Sequence, residues 1–388
     1  MRFSPSRAIS NALSQQVQHR PILFPAATAI VAVASLVFPY IVRTGSTSAT
    51  SLSASSTMPD SPDGRKQRLV YGSDDALFGH IEAQQGTKPF GSFLDAGTGV
   101  HSLRWIATLA SETGKEDGDH DEKKSKTAST MTDFTAVTAD ESMRTNVQKE
   151  VDELGMSQLG KVVIGNWFPP NGDDKVSLSS IDFDEAGNLK LYDTILADYL
   201  IGAMDGFSPY AQDQMIDKLA QRLKPGGRLY IVGLQPIPDS YGGKNSPQNV
   251  ICEVRKTRDA CILLSGDRCY REYPLDWIQR QIAKTGVLPT GDGNEAVALN
   301  LLDSETFPIL YRHATIVKQI NVGRNKLKRF PSKELASEMR KTLDDLERRS
   351  KEATDKLPGK RIQLGFDYVV TAERPVSEVE PVSEVEMA

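Results

Sequence analysis

Phe93–Ala110 reads FLDAGTGVHSLRWIATLA. A short apolar run, Phe93–Leu94, ends on Asp95, and Ala96–Gly97–Thr98–Gly99 then turns the chain. From His101 onward, Leu103, Ile106, Ala107 and Ala110 recur at helical spacing. The stretch is strand, tight turn, helix, and the same order repeats outward from it. Phe134–Thr138 (FTAVT) is β-branched and strand-like. Asp140 then stands as an N-cap, and Met143, Val147, Val151 and Leu154 form one helical face that closes on Gly155. A strand at Lys161–Ile164 leads into the loop Gly165–Pro170. Asp193–Ala197 (DTILA) is a buried strand ending at Asp198. Ser208–Pro209 reads as an N-cap with proline at the first helical position. That helix carries Met215, Ile216, Leu219 and Leu223 and stops at Lys224–Pro225–Gly226–Gly227, before a strand at Arg228–Leu234. Strands alternating with helices of this length predict an α/β fold built on a doubly wound sheet. Ligands in such sheets sit beyond the carboxyl ends of the strands. The expected site residues therefore lie in Asp95–Gly99, Thr138–Asp140, Gly165–Trp167, Asp198–Tyr199 and Gln235–Pro238.

The residues at those places suit one kind of ligand. Gly97 and Gly99 let the backbone turn tightly and a ligand lie against it. The pair alone would equally serve a structural turn. No Lys-Ser/Thr pair follows, as a phosphate loop would require. Asp95, just before the glycines, would repel a pyrophosphate but suits a cationic or amino group. Asp140, or failing it Thr138, suits ribose hydroxyls. The Asn166 amide offers a donor and an acceptor to an adenine edge, and the Trp167 ring offers a stacking face. Asp198 is a candidate base, against the alternative that it merely caps the strand end.

These segments resemble a known family. FLDAGTG (Phe93–Gly99) resembles motif I of the class I S-adenosylmethionine-dependent methyltransferases. YDTILADYL (Tyr192–Leu200) is similar to their fourth-strand motif, and LKPGGRLYIVG (Leu223–Gly233) to their fifth. The resemblance implies a Rossmann-like seven-stranded sheet and S-adenosyl-L-methionine as cofactor. Asp95, Gly97, Thr98 and Gly99 would lie on its methionine side, Asp140 on the ribose, and Asn166 with Trp167 on the adenine. Asp198 and Tyr199 would face the methyl acceptor. His313–Val322 and Ile362–Thr371 would be the antiparallel sixth and seventh strands, with a helix inserted at about 332–357. Two departures stand out. His101 occupies the place of a third glycine, narrowing the pocket, and Thr138 stands where the ribose acid usually ends strand two. A nicotinamide-dependent oxidoreductase shares the sheet but expects a third glycine opening the first helix and an acid about twenty residues on; Ser102 and the charged insertion at 111–130 speak against it. A non-catalytic scaffold that binds the cofactor is the other alternative. His80, and Arg271, Glu272 and Tyr273 of CYREYPLDW, are further candidates for covering the cofactor or lining an acceptor pocket.

The rest of the chain divides by composition. Residues 1–59 hold four arginines and no carboxylate, and 21–42 is an uncharged run long enough to cross a bilayer. Residues 1–63 are thus expected to be a leader with a linker, either a cleaved organelle address (mitochondrion or plastid) or a single membrane anchor. Residues 64–374 are the expected methyltransferase domain, interrupted by a charged surface insertion at 111–130, and 375–388 is an acidic tail. The net charge is −5, and −9 beyond the four leader arginines. That acidity argues against a nucleic-acid partner and for a small-molecule or protein acceptor. Three cysteines, Cys252, Cys261 and Cys269, match no disulfide or zinc spacing, so no metal is expected.

Overall fold

A computed structural model describes residues 75–111, 131–139, 141–168, 187–243, 246–287 and 296–376. The leader, the charged insertion beyond its first residue, Asp140 and the tail from residue 377 lie outside the described residues. The chain opens with α1 (Ala76–Gln85), β1 (Gly91–Asp95), α2 (Val100–Ser111), β2 (Met131–Thr138), α3 (Glu141–Glu153), β3 (Gly160–Ile164) and β4 (Tyr192–Asp198). It continues through α4 (Leu200–Ala203), α5 (Gln212–Ala220), β5 (Leu223–Leu234), α6 (Pro247–Leu264) and α7 (Leu275–Lys284). The last elements are β6 (Asn300–Arg312), α8 (His313–Lys326), α9 (Lys333–Asp355) and β7 (Arg361–Glu373).

The seven strands form one sheet in the order β3-β2-β1-β4-β5-β7-β6. Strands β1 to β5 pair in parallel, and β7 runs against both β5 and β6. This is the doubly wound, Rossmann-like, seven-stranded sheet that the sequence implies. The order reverses between β1 and β4, so the connections leaving these two strands diverge and open a crevice at their carboxyl ends.

Alternate residues of the central strands enter opposite layers, as the strand period requires. Leu94, Ile195, Ala197 and Ile231 join one core with Met215, Ile216, Leu219 and Ile278. Phe93, Leu196, Tyr230 and Val232 join the other with Phe78, Leu103, Trp105, Ile106 and Val147. Strands buried on both faces read as continuous apolar runs, which is why DTILA and LYIV were legible. A third core joins Ile251 and Val254 of α6, Ile316 and Ile320 of α8, and Leu343 and Leu346 of α9 into a helical cap beside the sheet. The inserted helix begins where expected, with Ser332 Oγ accepting from Leu335 N at 3.0 Å. Its apolar stripe docks on this cap.

Two expectations are corrected. His313–Val322 is helical, not a strand; Ile316 and Ile320 lie four residues apart on the face turned to the cap. The sixth strand is the preceding Asn300–Arg312, an edge strand largely exposed along its first half, and it runs parallel to β5 rather than against it. The helix expected from Ser208–Pro209 starts later, at Gln212. Ser208 Oγ instead donates across the crevice, and Tyr210 takes φ +72°, which a helical start does not allow.

Candidate functional site

The loop after β1 is fixed from both sides. Ala96 N donates to Leu196 O of β4, and Thr98 N to Val137 O of β2, each at 2.9 Å. Beneath it lies Asp95, wholly buried, whose Oδ2 accepts the hydroxyls of Thr98 (2.6 Å) and Ser102 (2.7 Å). Its Oδ1 has no hydrogen-bond partner among the described residues. Burial pushes the Asp95 carboxyl up to about 6, against those two hydroxyls and the Gly97 N–H. Asp95 therefore holds the loop from below and does not line the crevice.

The crevice contains a cavity of about 180 Å³ between Gly97–Gly99, Thr138–Ala139 and Gly165–Trp167. A Cβ placed on Gly99 would meet nothing within 4 Å, so a side chain there would occupy open space that the glycine leaves to a ligand. Trp167 lines the wall and donates its indole N–H to Ala96 O at 2.8 Å, which fixes its ring beside the loop. Asn166 is engaged at both ends of its amide. Its Oδ1 accepts from Ser208 Oγ (2.6 Å) and Phe168 N (3.1 Å), and its Nδ2 donates to Phe207 O (3.4 Å).

A larger cavity of about 370 Å³ adjoins the first and shares His101, Asp198, Tyr199 and Tyr270 with it. Asp198 ends β4, and its carboxylate accepts no hydrogen bond from a described side chain. Burial pushes it up to about 7, with Asp95, Asp75 and Asp367 adding like charge and His101 opposing. Tyr199 stands in the left-handed region at φ +49°, a conformation that costs a residue with a Cβ about 1 kcal/mol. Its N–H is held by Val232 O at 3.0 Å, and its phenol hydrogen-bonds to Asp367, which with burial raises its acidity threshold well above that of a free tyrosine. Such strain persists where the surrounding structure enforces it, commonly at functional sites.

His101 lies at the boundary between the cavities and lines both. Its Nε2 pairs with Asp75 Oδ2 at 2.9 Å, while Asp75 Oδ1 caps α1 through Leu77 N and Phe78 N. Burial disfavours the charged ring, but Asp75 and Asp198 outweigh it and the histidine titrates above its usual range. Arg271, Glu272 and Tyr273 line the larger cavity as the sequence suggested. Their segment is pressed against α4: Arg271 N donates to Gly202 O, and a Cβ on Gly202 would stand 2.5 Å from Arg271 O. His80 lines neither cavity and pairs with Asp303 at 2.8 Å. Asp75 and Asp367 were missed. Asp367 had one signal, a lone carboxylate inside the apolar strand IQLGFDYVVT.

No protein-family model and no curated protein matches the chain. Several solved structures resemble it. A methyltransferase of Geobacter sulfurreducens, crystallised with S-adenosyl-L-homocysteine, is 13% identical, with a TM-score of 0.36, over 74% of this chain and 85% of that one. A candidate methyltransferase of Bacillus halodurans is 12% identical, with a TM-score of 0.43, over 77% and 99%. The cyclase SpnF is 15% identical, with a TM-score of 0.35, over 76% and 79%. Likeness at this level describes the shape of the sheet; the cavities and their residues carry the functional reading.

Proposed function

We propose that the protein is an S-adenosylmethionine-dependent methyltransferase acting on a small organic acceptor. The observation that carries this is the pair of adjoining cavities meeting at His101, Asp198 and Tyr199. The smaller follows the glycine loop at the point where strand order reverses, where an adenine nucleoside would lie. The larger has the size of a site for a small organic molecule. The open space at Gly99 and the Trp167 ring fixed beside the loop fit the cofactor.

In this reading Gly97–Gly99 and Gly165–Trp167 hold the cofactor, and Asp95 keeps the loop in shape from beneath. When bound, S-adenosylmethionine supplies an activated methyl group on a positively charged sulfur, so the protein's work is alignment and proton removal. Tyr199, fixed through Asp367, closes the boundary on one side, and His101, fixed through Asp75, on the other. Asp198, whose carboxyl is pushed up to about 7 and accepts no hydrogen bond from a described side chain, would be the group that takes a proton from the acceptor.

The test is calorimetric titration of the full chain with S-adenosylmethionine and, separately, NADH. Micromolar binding of the first, weakened in Asp95→Ala, supports the reading. Binding of NADH alone, or of neither, overturns it.

A further inference from the structure

The shape and lining of the larger cavity carry information about the acceptor, given the methyl-transfer reading above. The lining follows the sheet from Asp198 at the end of β4 to Val232 of β5, Tyr368 of β7 and Ile309 of β6, strands that are consecutive neighbours in the sheet. Three steps between neighbouring strands span roughly 14 Å, so the space is elongated and runs away from the cofactor cavity. Two helices of the cap complete it. Ile251, Val254 and Arg258, three and seven residues on, share one face of α6, and Ile316 and Gln319 share one of α8. The wall away from the cofactor is therefore built by the cap and the last strands, not by the loops around Gly97–Gly99 and Gly165–Trp167.

That wall is hydrocarbon: Ile237, Ile251, Val254, Ile309 and Ile316. The charged side chains that share the lining are engaged within the fold, Asp198 apart. Arg255 pairs with Asp239 and Asp259, and Arg258 with Asp259 and with Gln319 Oε1. His101 pairs with Asp75, and Asp367 is hydrogen-bonded to Tyr199. Glu272 is close enough to Arg258 and Arg255 to feel both, and Arg271 is largely exposed, 4.0 Å from Asp205. The Tyr368 hydroxyl donates to Tyr273 O at 2.8 Å. A polar group on a ligand's body would have to displace one of these partners or lie unpaired against hydrocarbon, and either is costly. A hydrocarbon body meets neither cost, and apolar cavities take apolar ligands for that reason.

We propose that the larger cavity takes an elongated, apolar small molecule with a single polar group. That group lies beside Asp198, facing the cofactor cavity, and the hydrocarbon body runs along Ile251, Val254, Ile309 and Ile316 to the cap. A compact polar molecule, or one with a second polar group at its far end, is poorly held.

The assignment rests on the methyl-transfer reading, and the experiment separates the two. The full chain is first titrated with S-adenosylhomocysteine and then, saturated with it, with butanol, hexanol, octanol and 1,8-octanediol. Affinity should rise roughly tenfold for each two methylenes from butanol to octanol, as burial of the added hydrocarbon implies. The diol, equal in length to octanol, should bind about tenfold more weakly or worse, because its second hydroxyl meets the isoleucine wall. Thr315, half-buried on α8, lines the same space. Thr315→Trp should fill that space, weakening octanol by about tenfold while butanol and S-adenosylhomocysteine bind as before. Ile237→Trp, just after β5, is a second variant with the same expected pattern. Equal affinity across the series, a diol as tight as octanol, or octanol unaffected in variants that retain S-adenosylhomocysteine overturns the acceptor assignment and leaves methyl transfer standing. Absence of S-adenosylhomocysteine binding to the wild type overturns both.

Discussion

Replacing Asp198 by asparagine should make the protein more stable at alkaline pH and leave it unchanged in acid. The folded carboxyl titrates at about 7 against an ordinary 3.8, because burial and three neighbouring carboxylates disfavour its charge. A group raised in the folded state contributes no penalty below its unfolded value. Between the two values only the unfolded chain is ionised, so stability falls as pH rises, and above the folded value the loss is complete. At roughly 1.4 kcal/mol per pH unit the full rise corresponds to about 4 kcal/mol. The carboxylate borders two cavities, and solvent reaching it there reduces the figure to about 2 kcal/mol. Urea titrations of wild type and Asp198→Asn should therefore agree within about 0.5 kcal/mol near pH 4 and diverge by about 2 kcal/mol in favour of the variant near pH 8. On the proposed methyl-transfer function, the variant should at the same time lose that activity, the trade between stability and activity expected of a strained site. Equal stability at both pH values, or a variant less stable than wild type at the higher one, would refute the account of Asp198 as a carboxylate held in a hostile environment.

Three further outcomes are expected. Gly99→Leu places a side chain in open space at the loop, so it should abolish cofactor binding while shifting unfolding free energy by no more than about 0.5 kcal/mol. Asp95→Ala leaves the buried Thr98 hydroxyl without its acceptor and should cost about 1–3 kcal/mol by denaturant titration, together with weaker cofactor binding. Asp267 holds buried Lys326 at 2.8 Å and also Arg329, tying the end of α6 to the end of α8. Asp267→Ala should therefore destabilise the fold by roughly 3 kcal/mol, because it strands a buried ammonium, and its thermal unfolding should move down accordingly.

The parts of the fold that were legible in the sequence are those whose physics is local. The strand, glycine turn and helix of Phe93–Ala110 announce themselves because a strand buried on both faces must be apolar throughout and a helix must repeat its apolar face. The sixth strand escaped because Asn300–Arg312 is an exposed edge carrying Asp303, Glu305 and Pro308, without the alternation of a half-buried strand. The helix after it was misread because Thr315, Ile316, Val317, Ile320 and Val322 are β-branched, a strand preference overridden here by packing in the cap. Ser208 looked like an N-cap because its hydroxyl suits one; tertiary contact with Asn166 claimed it instead.

At the site the pattern is the same. Asp95, Gly97, Gly99, Asn166, Trp167 and Asp198 were placed at strand ends by topology alone. What each side chain touches depended on residues far away in the chain. Asp95 proved to support the loop through Thr98 and Ser102, and the amide of Asn166 is occupied by Ser208 and Phe207. His101 stood out as a departure from a glycine. Its meaning required Asp75, twenty-six residues earlier and at the N-cap of another helix. Asp367 reaches the same place from the last strand, and no local motif connects it to Tyr199.

The most direct test of the central claim is a crystal structure of the full chain grown with S-adenosylhomocysteine. The account predicts density for the nucleoside between Gly97–Gly99 and Gly165–Trp167, with the thioether sulfur at the boundary formed by His101, Asp198 and Tyr199. Ligand density anywhere else, or an empty crevice at saturating ligand, would contradict it.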